Sequence, residues 1–149
     1  MSEQQSAVPW IAISRGIAMP WHCDHYGHMN VRWYAHAFDD ATLTLWSCIG
    51  IDMREIHASG AHTVIGKSTT NYRQEITAGD PWQVLGAFTR MGTKSVTAAL
   101  QMKDAATGLL RAEHEAVIVF FDPETRTSAP IPQACRDAVA GLLPDDVAP

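Results

Sequence analysis

Residues 24–50 have the sequence DHYGHMNVRWYAHAFDDATLTLWSCIG, and the fold prediction starts from this segment. After a polar loop it predicts one long amphipathic helix, because apolar residues recur at steps of three and four. This apolar stripe consists of Tyr34, Phe38, Ala41, Leu45, Cys48 and Ile49. Asn30 is a favoured N-cap and Gly50 a favoured C-terminal stop. We therefore expect a helix of about five turns that begins at Val31.

Strand patterns flank this helix on both sides. Residues 10–19 alternate in polarity, with Ile11, Ile13, Ile17 and Met19 on one face and Arg15 as the exception. Four further strands are predicted over residues 62–74, 82–90, 94–103 and 109–121, the last with its second half buried on both faces. A short turn or helical extension is expected at residues 51–60, and a short terminal helix within residues 130–143. This order predicts an α+β fold, a five-stranded antiparallel sheet wrapped around one long central helix. Because one helix covers only one face, we expect the other face or an edge to be buried in an oligomer.

Length and composition predict one compact domain over residues 1–149, with a loose tail at 1–8 and a frayed end at 144–149. The net charge is -5, with only 11 Lys plus Arg and no basic run, so we expect no nucleic-acid partner. No apolar run approaches the ~20 residues of a membrane helix, and no signal-peptide pattern is visible. The three cysteines form no CxxC pair, which favours reduced thiols and a cytoplasmic location.

The loop before the helix carries the candidate chemistry. The first N–H groups of a helix lack intrahelical partners and, with the helix dipole, can hold a developing oxyanion. Asp24 lies seven residues before Val31, and a carboxylate beside such donors suits hydrolysis of an activated acyl group. Gly27 lets the loop fold tightly and lets a ligand approach. The alternative is that Asp24 only hydrogen-bonds nearby amides of its own loop.

The segment from Asp24 to Tyr34 resembles the D-x-x-G-H-x-N-x-x-x-Y segment of hot-dog-fold acyl-CoA thioesterases of the 4-hydroxybenzoyl-CoA thioesterase-like branch. The resemblance extends over residues 10–132, because the order of strand, helix and four strands also fits. It implies that Asp24 is the catalytic carboxylate, as nucleophile or general base, and that the backbone N–H of Val31 polarises the thioester carbonyl. It also implies that His28 and Asn30 form a polar pair at the site.

Further roles follow from the same resemblance. Tyr34 matches an aromatic residue on the buried side of the helix. His22 stands where many relatives carry an acidic residue, and His25 directly follows Asp24. Both departures bear on how the activity depends on pH. A related branch places a catalytic Glu on the long helix, but Asp39 and Asp40 lie too far along it to serve beside Val31.

The implied substrate is an acyl-CoA, hydrolysed without metal or organic cofactor at an interface of a homodimer or homotetramer. The candidates to bind the CoA phosphates are Arg90 and Lys94, and more weakly Arg73. The alternative is that Arg90 and Lys94 are ordinary charged residues of a hairpin turn. The strand that a partner subunit would bring toward the site carries Thr69, Thr70 and Asn71. These residues either hydrogen-bond the substrate or are ordinary strand residues. Trp33 and Trp46 either line an acyl pocket or belong to the core.

Other readings of the histidine-rich loop are open. A transition metal would use His22, Asp24, His25 and His28, but there is no HExxH and the spacing is not a known ligand pattern. A Cys23 nucleophile conflicts with the neighbouring Asp24 charge, which raises a thiol pKa. We expect His28 to orient the loop, His36 to lie on the polar helix face, and His114 to be a hydrogen-bonded core residue.

Two rival functions remain. A hot-dog enoyl-CoA hydratase uses a D-x-N-P-x-H pattern, but here His28 follows Asp24 by four residues instead of five and Asn-Pro is missing. A non-catalytic acyl-CoA-binding protein would keep the fold without turnover, although the presence of Asp24 favours an enzyme.

Overall fold

The computed structural model describes residues 8–143 and shows the predicted α+β architecture. Its helices are α1 (Val31–Cys48), α2 (Met53–Ala58) and α3 (Gln133–Ala140), with a 3-10 turn at Pro20–His22. Its strands are β1 (Ile11–Ile17), β2 (His62–Tyr72), β3 (Pro81–Met91), β4 (Ser95–Asp104), β5 (Leu110–Asp122) and β6 (Thr127–Ser128). The predicted loose tail, except for Val8, and the predicted frayed end at 144–149 lie outside the described residues.

The strands form one antiparallel sheet in the order β1-β3-β4-β5-β2, so β1 and β2 are its edges. All five predicted strands are present. Strand β6 was not predicted, because it pairs with the end of β5 through two residues only and is too short to show an alternating pattern.

Helix α1 lies across one face of this sheet and buries its apolar stripe. Phe38 and Leu45 are fully buried, and Trp46 packs its ring 4.7 Å from that of Phe88. One predicted member of the stripe is wrong, because Cys48 is exposed. It lies in the last turn of α1, where Trp46 occupies the core instead.

The alternation predicted for β1 breaks at a bulge. Its pairing with β3 shifts between Ala12 and Ser14, which exchanges the two faces of the strand from that point on. Arg15 therefore points outward, Ala18 is buried, and Ile17, predicted to be buried, is 55% exposed. The Arg15 exception in the sequence marks this bulge.

The other edge and the far face of the sheet are open. Strand β2 is mostly exposed along its length, and Val64, Ile65 and Tyr72 are its large exposed hydrophobic residues. The outward residues in the second half of β5 are only half-buried, not buried as predicted, because no helix of the described residues covers this face. No helix within residues 8–143 is both long and apolar enough to cross a membrane.

Candidate active site

The loop that carries Asp24 is a tight hairpin set directly before α1. The N–H of Asp24 donates to the carbonyl of His28 (3.0 Å), and the N–H of Gly27 donates to the carbonyl of Asp24 (2.9 Å). Gly27 has φ +80°, a left-handed conformation that glycine adopts without steric cost. The predicted need for glycine in this turn is confirmed.

The carboxylate of Asp24 is held by two donors. Its Oδ1 accepts the backbone N–H of Tyr26 (3.0 Å), and its Oδ2 accepts the side-chain amide of Asn30 (3.1 Å). The Asn30 amide, then the Tyr26 N–H, lower the pKa of Asp24 below its ordinary value, and nearby His25 and His28 act in the same direction. Asp24 is therefore anionic at neutral pH, the form that acts as a nucleophile or a base.

Asn30 is also the N-cap of α1, as predicted. Its Oδ1 accepts the backbone N–H of Arg32 (3.2 Å) and the Arg32 Nε–H (3.1 Å), while its carbonyl accepts the N–H of Trp33 (2.9 Å). The backbone N–H of Val31 has no acceptor within residues 8–143, and Val31 is 56% exposed. This leaves one free donor at the positive end of the helix dipole, next to the residue that holds Asp24.

These groups open onto a cleft of about 510 Å³ between the start of α1 and the end of β2. Its lining combines the loop and helix with the chain after β2, namely Asp24, His28, Met29, Val31, Tyr34, Tyr72, Arg73, Gln74 and Glu75. The rings of Tyr34 and Tyr72 meet edge to face at 5.1 Å. Burial raises the pKa of Tyr34 to about 12, so its hydroxyl stays neutral.

Sequence reasoning missed Tyr72 and Glu75. Glu75 Oε2 lies 3.0 Å from His28 Nε2, so this carboxylate orients the histidine that the sequence predicted as a loop-orienting group. No local pattern announces these two residues, because only the position of β2 beside the start of α1 brings them to the cleft.

The other predicted substrate residues lie elsewhere in the single chain. Thr69 and Asn71 line a separate hollow on the sheet face that points away from α1. Thr70 faces the helix and its hydroxyl lies 2.7 Å from His114 Nδ1. Arg90 and Lys94 are exposed at the β3–β4 turn, near the end of α1 that carries Trp46. Because α1 spans about 27 Å, this end of the helix lies far from the Asp24 loop of the same chain. Their assignment to the substrate remains a prediction about an assembly.

The aromatic and histidine candidates separate in the same way. Trp46 is a core residue, whereas Trp33 is half-buried with its ring 4.7 Å from that of His22. His36 is exposed on the polar face and lies 3.4 Å from Asp40. His114 stacks on Phe38 at 4.8 Å, and its partial burial lowers its pKa.

The alternative chemistries find little geometric support. Within residues 8–143, no three His, Cys, Asp or Glu side chains converge as metal ligands. His22 Nδ1 instead accepts the N–H of Met19 (2.9 Å). The Cys23 thiol donates to the carbonyl of Met19 (3.7 Å).

Comparisons with known proteins agree with this geometry. The family model described as the thioesterase-like superfamily matches residues 19–139. No curated protein matches the sequence significantly. Among solved structures, the chain is similar to a 1,4-dihydroxy-2-naphthoyl-CoA thioesterase from Synechocystis, with TM-score 0.78, 16% identity, and coverage of 88% of this chain and 96% of that one.

Two proteins from Staphylococcus aureus are similar to the same degree. One is the hypothetical protein SAV2348, solved in complex with CoA, with TM-score 0.81, 19% identity, and coverage of 97% of this chain and 90% of that one. The other is a DHNA-CoA thioesterase with TM-score 0.75, 16% identity, and coverage of 86% and 85%. At these identities the likeness shows the fold. Together, the matched family model and the shared fold show that this chain belongs to the thioesterase-like superfamily and has the hot-dog fold.

Proposed function

We propose that this protein is an acyl-CoA thioesterase that hydrolyses an acyl-CoA to a free carboxylic acid and CoA. The observation that carries the proposal is the double role of Asn30, which holds the Asp24 carboxylate and caps the helix whose first N–H is free. One residue thus fixes a nucleophile or base beside an oxyanion donor, the pair of groups that thioester hydrolysis requires.

The chemistry follows from these two groups. The thioester carbonyl oxygen accepts the Val31 N–H and gains negative charge as the carbonyl carbon is attacked. In one route Asp24 attacks, the C–S bond breaks to release CoA thiolate, and water then opens the acyl-aspartyl anhydride. In the other route Asp24 takes a proton from water as that water attacks the carbonyl carbon, and the C–S bond then breaks to release CoA thiolate. Both routes consume one water and need no cofactor.

A CoA ester is the substrate class that the comparisons favour. One structural relative is described in complex with CoA, and two are described as CoA thioesterases. Of the rival functions, a hydratase lacks its motif here, and the position of the Asp24 carboxylate in the cleft favours an enzyme over a pure binding protein.

We also propose that the active form is a homodimer or homotetramer built through β2. This edge strand exposes its backbone groups together with Val64 and Ile65, a combination that invites pairing with a second copy. Antiparallel pairing of two β2 strands turns the β3–β4 end of the second copy toward the Asp24 end of the first. That arrangement gives Arg90 and Lys94 a route to the CoA phosphates that a single chain lacks.

Thiol release from short-chain, long-chain and aromatic acyl-CoAs tests the function, with binding of the same esters measured by calorimetry. We expect turnover of at least one ester. Binding without thiol release would contradict the proposal in favour of an acyl-CoA-binding protein. Hydration of an enoyl-CoA without thiol release would contradict it in favour of a hydratase.

A further inference from the structure

The connection from β2 to β3 forms the wall against which the Asp24 hairpin rests. The N–H of Met29 donates to the carbonyl of Ile76 (2.7 Å), and His28 makes an antiparallel bridge with Thr77. The side chain of His28 also reaches Glu75 (3.0 Å). The hairpin therefore takes its position from residues 75–77.

Residues 75–77 are in turn held by the guanidinium of Arg111, the second residue of β5. Its Nη1 donates to the carbonyl of Glu75 (2.6 Å), and its Nη2 donates to Asp104 Oδ2 (2.8 Å). Nη2 also lies 3.5 Å from Asp80 Oδ2, which in turn accepts the N–H of Thr77 (2.9 Å). The Arg111 guanidinium thus links Glu75 and Asp80, both in the β2–β3 connection, to Asp104 at the end of β4.

The burial of this cluster makes it rigid. The side chain of Arg111 is 14% exposed and that of Asp104 is 7% exposed. Hydrogen bonds between ionised groups are stronger than neutral ones, and a fork of donors fixes direction as well as distance. The hydrogen bond from Arg111, followed by backbone N–H groups of the turn, lowers the pKa of Asp104 to about 2, so this carboxylate is ionised at neutral pH.

We propose that Arg111 is a positioning residue for the reaction at Asp24. It does not line the cleft, and it acts through the Glu75 carbonyl and residues 76–77, which set the distance between the Asp24 hairpin and the Val31 N–H. This inference rests on the proposed thioesterase function. It also makes a claim about the hairpin itself that does not depend on turnover.

Arg111→Met and Arg111→Lys test the proposal, with Arg54→Met as the matched control. Arg54 also pairs with an aspartate, Asp52, but its side chain is 92% exposed and does not line the cleft of its own chain. The measurements are kcat and KM for the best acyl-CoA, and amide hydrogen exchange at Met29 compared with Phe38 in the core of α1.

For Arg111→Met we expect kcat to fall about tenfold or more with KM little changed, because a misplaced group costs transition-state stabilisation. Exchange at Met29 should accelerate about tenfold or more while exchange at Phe38 does not, as expected for a local opening. Arg111→Lys should lie between wild type and Arg111→Met, because an ammonium cannot span Glu75 and Asp104 together. Arg54→Met should match wild type.

Wild-type exchange at Met29 in Arg111→Met, or equal acceleration at Met29 and Phe38, would overturn the positioning role. An unchanged kcat with faster exchange at Met29 would overturn its link to the reaction. If the wild type releases no thiol from any ester, the proposed function fails, and the exchange data still decide whether Arg111 holds the hairpin.

Discussion

Replacing Asn30 separates the two tasks that this side chain performs at the start of α1. Its oxygen accepts the N–H of Arg32 (3.2 Å) and so caps the helix, while its amide nitrogen donates to Asp24 Oδ2 (3.1 Å). Alanine removes both interactions. Serine is a good N-cap but has no amide group to reach the Asp24 carboxylate. Asn30→Ser is therefore the matched control for Asn30→Ala.

The capping task predicts a difference in stability between the two variants. Loss of an N-cap costs about 1 kcal/mol, so Asn30→Ala should unfold more easily than wild type by that amount. For a chain of this size the melting temperature should fall by about 2–4 °C. Asn30→Ser should melt close to wild type. Thermal unfolding followed by circular dichroism measures both values.

The carboxylate task predicts a shared shift in pH dependence. The Asn30 amide is the largest cause of the lowered pKa of Asp24, so both variants raise that pKa toward its ordinary value. Because the anion is the active form, the acidic limb of kcat/KM should move to higher pH in both. The lowered pKa of Asp24 also stabilises the fold at pH values above the pKa of this group in the unfolded chain. This contribution to the free energy of unfolding is lost as pH falls through the lower pKa of Asp24 in the folded protein.

Two results would contradict these two roles of Asn30. Equal melting temperatures for Asn30→Ala and Asn30→Ser would show that Asn30 does not act as the cap. An acidic limb of kcat/KM that coincides with wild type in both variants would show that Asn30 does not set the ionisation of Asp24, or that Asp24 does not carry the activity.

Three further predictions concern the core, the interface and the acid range. Leu45→Ala should cost about 2–5 kcal/mol in urea unfolding, because Leu45 is fully buried. Ile65→Lys places a charge on the β2 edge, so in analytical ultracentrifugation the proposed oligomer should be replaced by folded monomers; an unchanged oligomer would contradict assembly through β2. The pKa of Asp104 is lowered to about 2, so Asp104→Asn should have a lower free energy of unfolding than wild type above pH ~4. In acid unfolding this difference should shrink as pH falls from ~4 toward 2. A difference that stays constant over this range would contradict the lowered pKa of Asp104.

The fold was largely predictable because its main signals are local. The spacing of apolar residues in α1 and the cap at Asn30 predicted the helix almost to its ends. The misses arise where tertiary contacts override the local pattern. A bulge after Ala12 exposes Ile17, and Trp46 takes the core position at the end of α1 while Cys48 is left in solvent.

The site divides along the same line. Asp24, Gly27, Asn30 and Val31 lie within one short segment, so their spacing alone indicated a carboxylate beside a helix N-terminus. Tyr72, Glu75 and Arg111 reach the cleft or its wall only because β2 and β5 pair beside the start of α1. No spacing in the sequence encodes that neighbourhood.

The substitution Asp24→Asn tests whether this carboxylate carries out the hydrolysis, with Asp40→Asn as the same change at an exposed carboxylate outside the cleft. The measurement is kcat for thiol release from the best acyl-CoA ester. Loss of the nucleophile or base should lower kcat by about 10²-fold or more in Asp24→Asn, while Asp40→Asn should turn over like wild type. Turnover by Asp24→Asn at the wild-type rate would contradict the account.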